Sequence, residues 1–334
     1  MSNPTAIRTL GLAVMVIITM AGFVAATQMP LIGALVLSVA ALPAFLVILA
    51  WGGLWFLLYS ALTMTLTSLV ATPSAAIMLM PLILMPAAFL YGAVKVGLAP
   101  LRAMCLALLS ATLFSTGMWA VTNQVSSSDG LLPVREQFAS QIAVVEKQLD
   151  KIQEKGQESQ ESVELIRENI REVFDYTVLL IPATFLFVWH LLTLGIFYAG
   201  AVRLAPRFGF QIATMPPFTD WRFDWHLIWL FLGGWLLFYV VGADETMPMH
   251  GFARTVGANC LAVSSIMYYI AGLSLIFFMF EKYKLGPFAR VGLSCMALVF
   301  TQAVVWFGII DVWADFRTPK PALFQASDDS DDDF

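Results

Sequence analysis

The chain has 334 residues, of which 59% are hydrophobic and 12% charged, with a mean hydropathy of +0.80 and a net charge of −5. A soluble domain carries about 25% charged residues; half that share cannot cover a surface facing water on all sides, so the solvent must be largely lipid. The acids gather in a stretch from about Asp129 to Asp175 and in the tail Asp328–Asp333, and there is no basic patch for a nucleic-acid partner.

A membrane helix needs about 20 mostly apolar residues, because the hydrocarbon core is ~30 Å thick and a helix rises 1.5 Å per residue. In chain order the apolar segments fall near 8–27, 31–50, 53–71, 75–94, 99–122, 174–200, 226–243, 255–280 and 288–311. The fold class expected is therefore all-α, a polytopic transmembrane bundle of about nine spans. The count drops to eight if the segments flanking Trp51-Gly52-Gly53 form one irregular element. The first segment lacks a small-residue cleavage site after it and reads as a retained helix. Cys105, Cys260 and Cys295 lie in apolar runs without metal or disulfide spacing, and read as small buried hydrophobes.

Lys and Arg in short loops set orientation. Lys95 with Arg102, Arg203 with Arg207 and Arg222, and Lys282 with Lys284 and Arg290 occupy alternate loops. With nine spans these loops face the cytoplasm. The loop from Asp244 to Arg254, the 123–173 insert and the acidic tail then lie outside.

The insert is the one long polar stretch with helical periodicity. Its apolar residues, Phe138, Ile142, Val145, Leu149 and Ile152, then Val163, Ile166, Ile170 and Val173, recur at steps of three and four, the spacing of a coiled-coil seam. A single straight helix would extend ~60 Å at 1.5 Å per residue. An antiparallel hairpin turning near Gly156 returns the chain to the next span and is the preferred reading. Four parts follow: a membrane half over 1–122, the extramembrane hairpin over 123–173, a second membrane half over 174–317 and a disordered acidic tail over 318–334. The hairpin either packs on itself or docks a partner helix or a second copy.

Polar residues among apolar neighbours are the functional candidates. His190, Asn259, Thr301 and Gln302 form a candidate intramembrane polar site; the bland alternative for His190 is a helix–helix hydrogen bond. Trp221, Trp225 and Trp229 are spaced to share one helix face, as interfacial anchors do. Small residues at Ala21, Ala25, Gly257, Ala262 and Gly272 permit close helix approach. The last span ends in Asp311-Val312-Trp313-Ala314-Asp315-Phe316-Arg317. Two carboxylates one turn apart at a helix C-terminus repel each other and oppose the helix dipole, so they need cations. Arg317 and Arg254 are the expected partners, giving a structural charge cluster of Asp311, Trp313, Asp315, Arg317 and Arg254.

That ending, with Gly308 before it, resembles the closing signature of the YybS-like bacterial membrane proteins. Pro217 followed by Trp221 and Trp225, the Asn259, Tyr268-Tyr269 and Gly272 pattern, and prolines at span starts (Pro30, Pro43, Pro81) agree with it. The N-terminal half is similar in pattern to the substrate-binding membrane subunits of energy-coupling-factor transporters and to the cell-shape protein MreD. The resemblance implies a multi-pass protein of the bacterial cytoplasmic (inner) membrane and carries no established activity. It favours a small-molecule binding or transport-type subunit; the alternative is a scaffold organising an envelope complex. No nucleophile with an adjacent base, metal constellation or phosphate loop is legible, so neither an enzyme nor a cofactor is expected.

Overall fold

The structure, a computed structural model, describes residues 4–28, 33–126 and 183–317 apart from 210, 245 and 248; between the two membrane halves it describes 147, 149–150, 162, 164–170 and 180. Each of the nine expected apolar segments contains helix among its described residues. Six are long and apolar enough to cross a membrane, or seven if the bent pair Pro287–Val299 and Thr301–Ala314 counts as one span. The expected nine is therefore approximate. Leu35–Trp51 and Leu227–Val241 are helical but shorter apolar segments, reaching roughly 25 Å or less at 1.5 Å per residue.

The first half comprises α1 (Pro4–Gln28), α2 (Gly33–Ala40), α3 (Leu42–Trp51), α4 (Gly53–Val70), α5 (Pro73–Leu79), α6 (Met85–Lys95) and α7 (Pro100–Ser126). Helix α8 (Ala183–Leu204) opens the second half but packs into the first, on α7, α2 and α3. Phe45 of α3 stacks on Phe197 of α8 at 5.8 Å, and Ser38 of α2 meets Thr193 of α8 at 3.1 Å. Gly52 takes φ 86°, a backbone that side chains resist, so α3 and α4 are separate elements. At the α2–α3 break the Thr19 hydroxyl donates to the Ala40 carbonyl at 2.8 Å.

Helices α5 and α6 are joined by a π turn, Met80–Leu84, containing Pro81 and followed by Pro86. Pro86 lacks the N–H that would answer the Leu82 carbonyl in α register or the Pro81 carbonyl in π register. Lipid offers no substitute donor. Two neighbouring helices do: Trp189 Nε1 of α8 donates to Leu82 O at 3.1 Å, and Ser115 Oγ of α7 donates to Pro81 O at 3.0 Å.

The remaining helices are α9 (Leu227–Leu236, continued by a π turn to Val241), α10 (His250–Lys282), α11 (Pro287–Val299) and α12 (Thr301–Ala314). Helix α9 runs antiparallel to α10, with Gly234 against Cys260 and Gly242 against Arg254. The crossing of α10 on α12 is tight. A Cβ at Gly272 would sit 2.0 Å from the Val304 carbonyl oxygen, and one at Gly308 2.1 Å from that of Tyr268.

The expected last span is not one straight helix. The chain bends by 100° at Phe300. Helix α11 leaves the Lys282 end of α10 and brings its Ala297 carbonyl to the Tyr269 hydroxyl at 3.4 Å. Helix α12 then carries the chain back to the end it came from: Lys282 Nζ reaches the Phe316 carbonyl at 3.5 Å, and Arg317 stands over the Phe278 ring. The sequence places the Asp311 end opposite Lys282; the structure places both at one end. The break leaves α12 with only 14 residues, about 21 Å, too short to cross on its own.

Of the insert, the described residues show Arg167 paired with Asp150 and, at 3.7 Å, with Glu164. The rest of the expected coiled-coil hairpin, and the tail from 318, lie outside the described residues.

Candidate functional site

Polar and charged groups collect where α12 ends. Asp315 adopts φ 42°, a left-handed conformation that closes the helix and reverses the chain. Arg317 therefore folds back over the last turn. Its Nε donates to Asp311 Oδ2 at 3.0 Å, and Nη2 lies 3.0 Å from the same oxygen and 3.4 Å from the Ala271 carbonyl. Nη1 donates to the Thr219 carbonyl and, at 2.9 Å, to Ser274 Oγ. A guanidinium has five N–H donors, and four of them make hydrogen bonds here. The two side chains are 2% and 7% exposed. Asp311 also accepts from the Phe316 N–H at 3.3 Å, and Ser274 donates to the Phe218 carbonyl at 2.6 Å. The clasp thus fastens α12 to α10 and to the turn Phe218–Asp220.

Asp315 pairs instead with Arg222, at 2.7 Å, where both side chains are half exposed. Arg254 does not join the cluster. It lies near the start of α10 over the Phe238 ring, roughly 25 Å along the helix from Ala271. The expectation that it pairs with these acids depended on α12 crossing the membrane. Trp313 is exposed.

The stretch from Trp221 to His226 is not helical, so the three expected tryptophans do not share a helix face. Trp221 is tied down locally, its Nε1 donating to the Pro216 carbonyl at 3.1 Å. Asp224 accepts from the His226 backbone N–H at 3.0 Å and from its ring. These bonds, the backbone one foremost, hold the Asp224 carboxyl below the ordinary carboxylate range.

Between this stretch and the start of α7 lies a groove of about 660 Å³. Its floor is apolar, with Leu106, Leu109, Leu230 and Met267; its rim carries Arg102, Arg222, Asp224 and His226. Cys105 also lines it. The sequence gives no hint of this groove, because Arg102 and Arg222 read as separate orientation charges.

The four intramembrane candidates are not brought together. His190 is fully buried, and Ser115 Oγ lies 2.9 Å from its Nε2. Since the Ser115 proton goes to Pro81, the ring supplies the Nε2–H, and Nδ1 is left without a partner among the described residues. Asn259 does separate work: its Oδ1 accepts from the Thr184 N–H and hydroxyl, each at 3.0 Å, capping the first turn of α8 from α10. Thr301 and Gln302 are exposed at the α11–α12 break. The pair of prolines five residues apart, Pro81 and Pro86, was the available signal for the buried node.

These features define a multi-pass helical membrane protein whose last two helices are folded back and fastened by a buried ion pair. The chain belongs to the family described as predicted membrane protein (DUF2232), which matches residues 14–312, in agreement with the resemblance read from the sequence. No curated protein and no solved structure matches it.

Proposed function

We propose that the protein is a membrane-embedded binding subunit of the transport type, and that the groove between α7 and the Trp221–His226 stretch takes an amphiphilic, anionic small molecule. One observation carries the reading: two arginines, Arg102 and Arg222, stand over an apolar floor in a groove of about 660 Å³ between the two halves of the chain. Ligand sites of 300–1,000 Å³ with mostly apolar walls and few polar groups are the usual pattern. The acid at the rim, Asp224, is already engaged by His226. The cations of the short loops favour the cytoplasmic side for this end, which suits a protein of the bacterial inner membrane. The reading is one of binding without chemistry.

The test is purification from native membranes in mild detergent, with mass spectrometry on the protein and small-molecule fractions. The reading expects an anionic amphiphile that disappears with Arg102→Gln and persists with Cys105→Ala. Envelope proteins recovered without any metabolite, and lost on deleting residues 131–158, would replace it with the scaffold reading.

A further inference from the structure

Helix α11 stands apart from the bundle. Phe288 is 94% exposed and Val299 74%, and α12 is its main neighbour in the fold. Between α11, the end of α10 and α12 lies a cavity of about 450 Å³, walled by residues such as Met279, Leu293, Met296, Val304 and Phe307. None of its lining side chains is charged. It shares no residue with the groove on α7.

Cations stand at its edge. Phe316 and Leu285 both line the cavity. Lys282 Nζ lies 3.5 Å from the carbonyl of the first, and Arg290 Nε donates to the carbonyl of the second at 2.9 Å. Lys284 sits between them in sequence, and Glu281 is the neighbouring acid. An apolar hollow with a positive rim, in a chain that crosses a membrane, matches an acyl chain bearing an anionic headgroup. A twofold contact between two copies through this face would instead set these cations against their own duplicates.

We propose that the wedge between α10, α11 and α12 binds an acyl chain of an anionic phospholipid, with Lys282 and Arg290 holding its phosphate. The full-length protein, delipidated in detergent, is titrated with phosphatidylglycerol or phosphatidylcholine, and thermal unfolding is followed. Phosphatidylglycerol raises the unfolding midpoint at lower concentration than phosphatidylcholine. In the double variant Lys282→Gln/Arg290→Gln the preference shrinks by on the order of tenfold. Ala303→Trp, which fills the cavity, removes the response to both lipids. Equal response of the wild type to the two lipids overturns the headgroup assignment. An undiminished response in Ala303→Trp overturns the cavity. Native mass spectrometry of the wild type needs no variant: retained phosphatidylglycerol in excess over phosphatidylcholine supports the site, and equal retention overturns it.

Discussion

Two interruptions of apolar helix, at Met80–Leu84 and at Phe300, have opposite results. At Met80–Leu84 a π turn that contains Pro81 and is followed by Pro86 leaves carbonyls without a backbone donor, yet Ala75–Lys95 still runs as one span-length helix. At Phe300 the chain bends by 100° and turns back. The difference lies in what surrounds each break. The first is enclosed by α7 and α8, whose Ser115 and Trp189 supply the missing donors. The second is flanked by Thr301 and Gln302, both exposed; the Tyr269 hydroxyl meets its Ala297 carbonyl by a long bond of 3.4 Å, and α12 is fastened further along, where Arg317 clasps Asp311. An interruption in lipid survives as part of a span when neighbours satisfy it; otherwise the helix ends.

That comparison can be broken most severely at the clasp. Arg317→Met strands the Asp311 charge in a buried site. Removing one partner of such a pair costs about 3–5 kcal/mol, so the unfolding midpoint of the purified protein falls sharply. The double variant Asp311→Asn/Arg317→Met should recover part of the loss, because no charge is left unpaired. A next effect belongs to the crossing beneath it. Gly308→Ala drives a Cβ against the Tyr268 carbonyl and should cost about 1–3 kcal/mol, seen as a lower midpoint and faster thiol labelling at Cys260.

At the first break, Ser115→Ala removes the donor to Pro81 and the acceptor for His190 together. Leaving buried polar groups unsatisfied costs about 1–3 kcal/mol; Ser115→Thr, which keeps the hydroxyl, should be much milder. Asp315→Asn tests the half-exposed pair with Arg222 and should change stability by less than about 1 kcal/mol, with the difference fading in high salt. The smallest effect is a pH dependence. The Asp224 carboxyl is held below its ordinary value in the folded protein, so what it contributes is present above the unfolded value of about 3.9. That contribution fades as pH falls through the lower folded value. Asp224→Asn should therefore flatten the acid limb of stability by slightly lowering the neutral-pH value and leaving stability below pH ~4 nearly unchanged.

The helices themselves were legible, since apolar length leaves lipid few alternatives. Gly272 was rightly suspect as a close-approach residue, and the Asp311–Arg317 pair follows from two acids at a helix C-terminus. What sequence could not supply was direction. Hydropathy counts 288–311 as apolar whether or not the chain bends at Phe300, so the sequence sets the Asp311 end on the wrong side of the bundle, beside Arg254. The same blindness hid the groove, because Arg102 and Arg222 lie on elements 120 residues apart and meet only in three dimensions.

The central claim is that α11 and α12 enter and leave the bundle at one end. Side-specific thiol labelling tests it most directly. Cys105, Cys260 and Cys295 are first replaced by alanine, and Lys284→Cys and Asp329→Cys are then introduced singly. A membrane-impermeant maleimide applied to oriented vesicles should label both positions from the same side. Labelling from opposite sides would make α11 and α12 a true crossing and contradict the account.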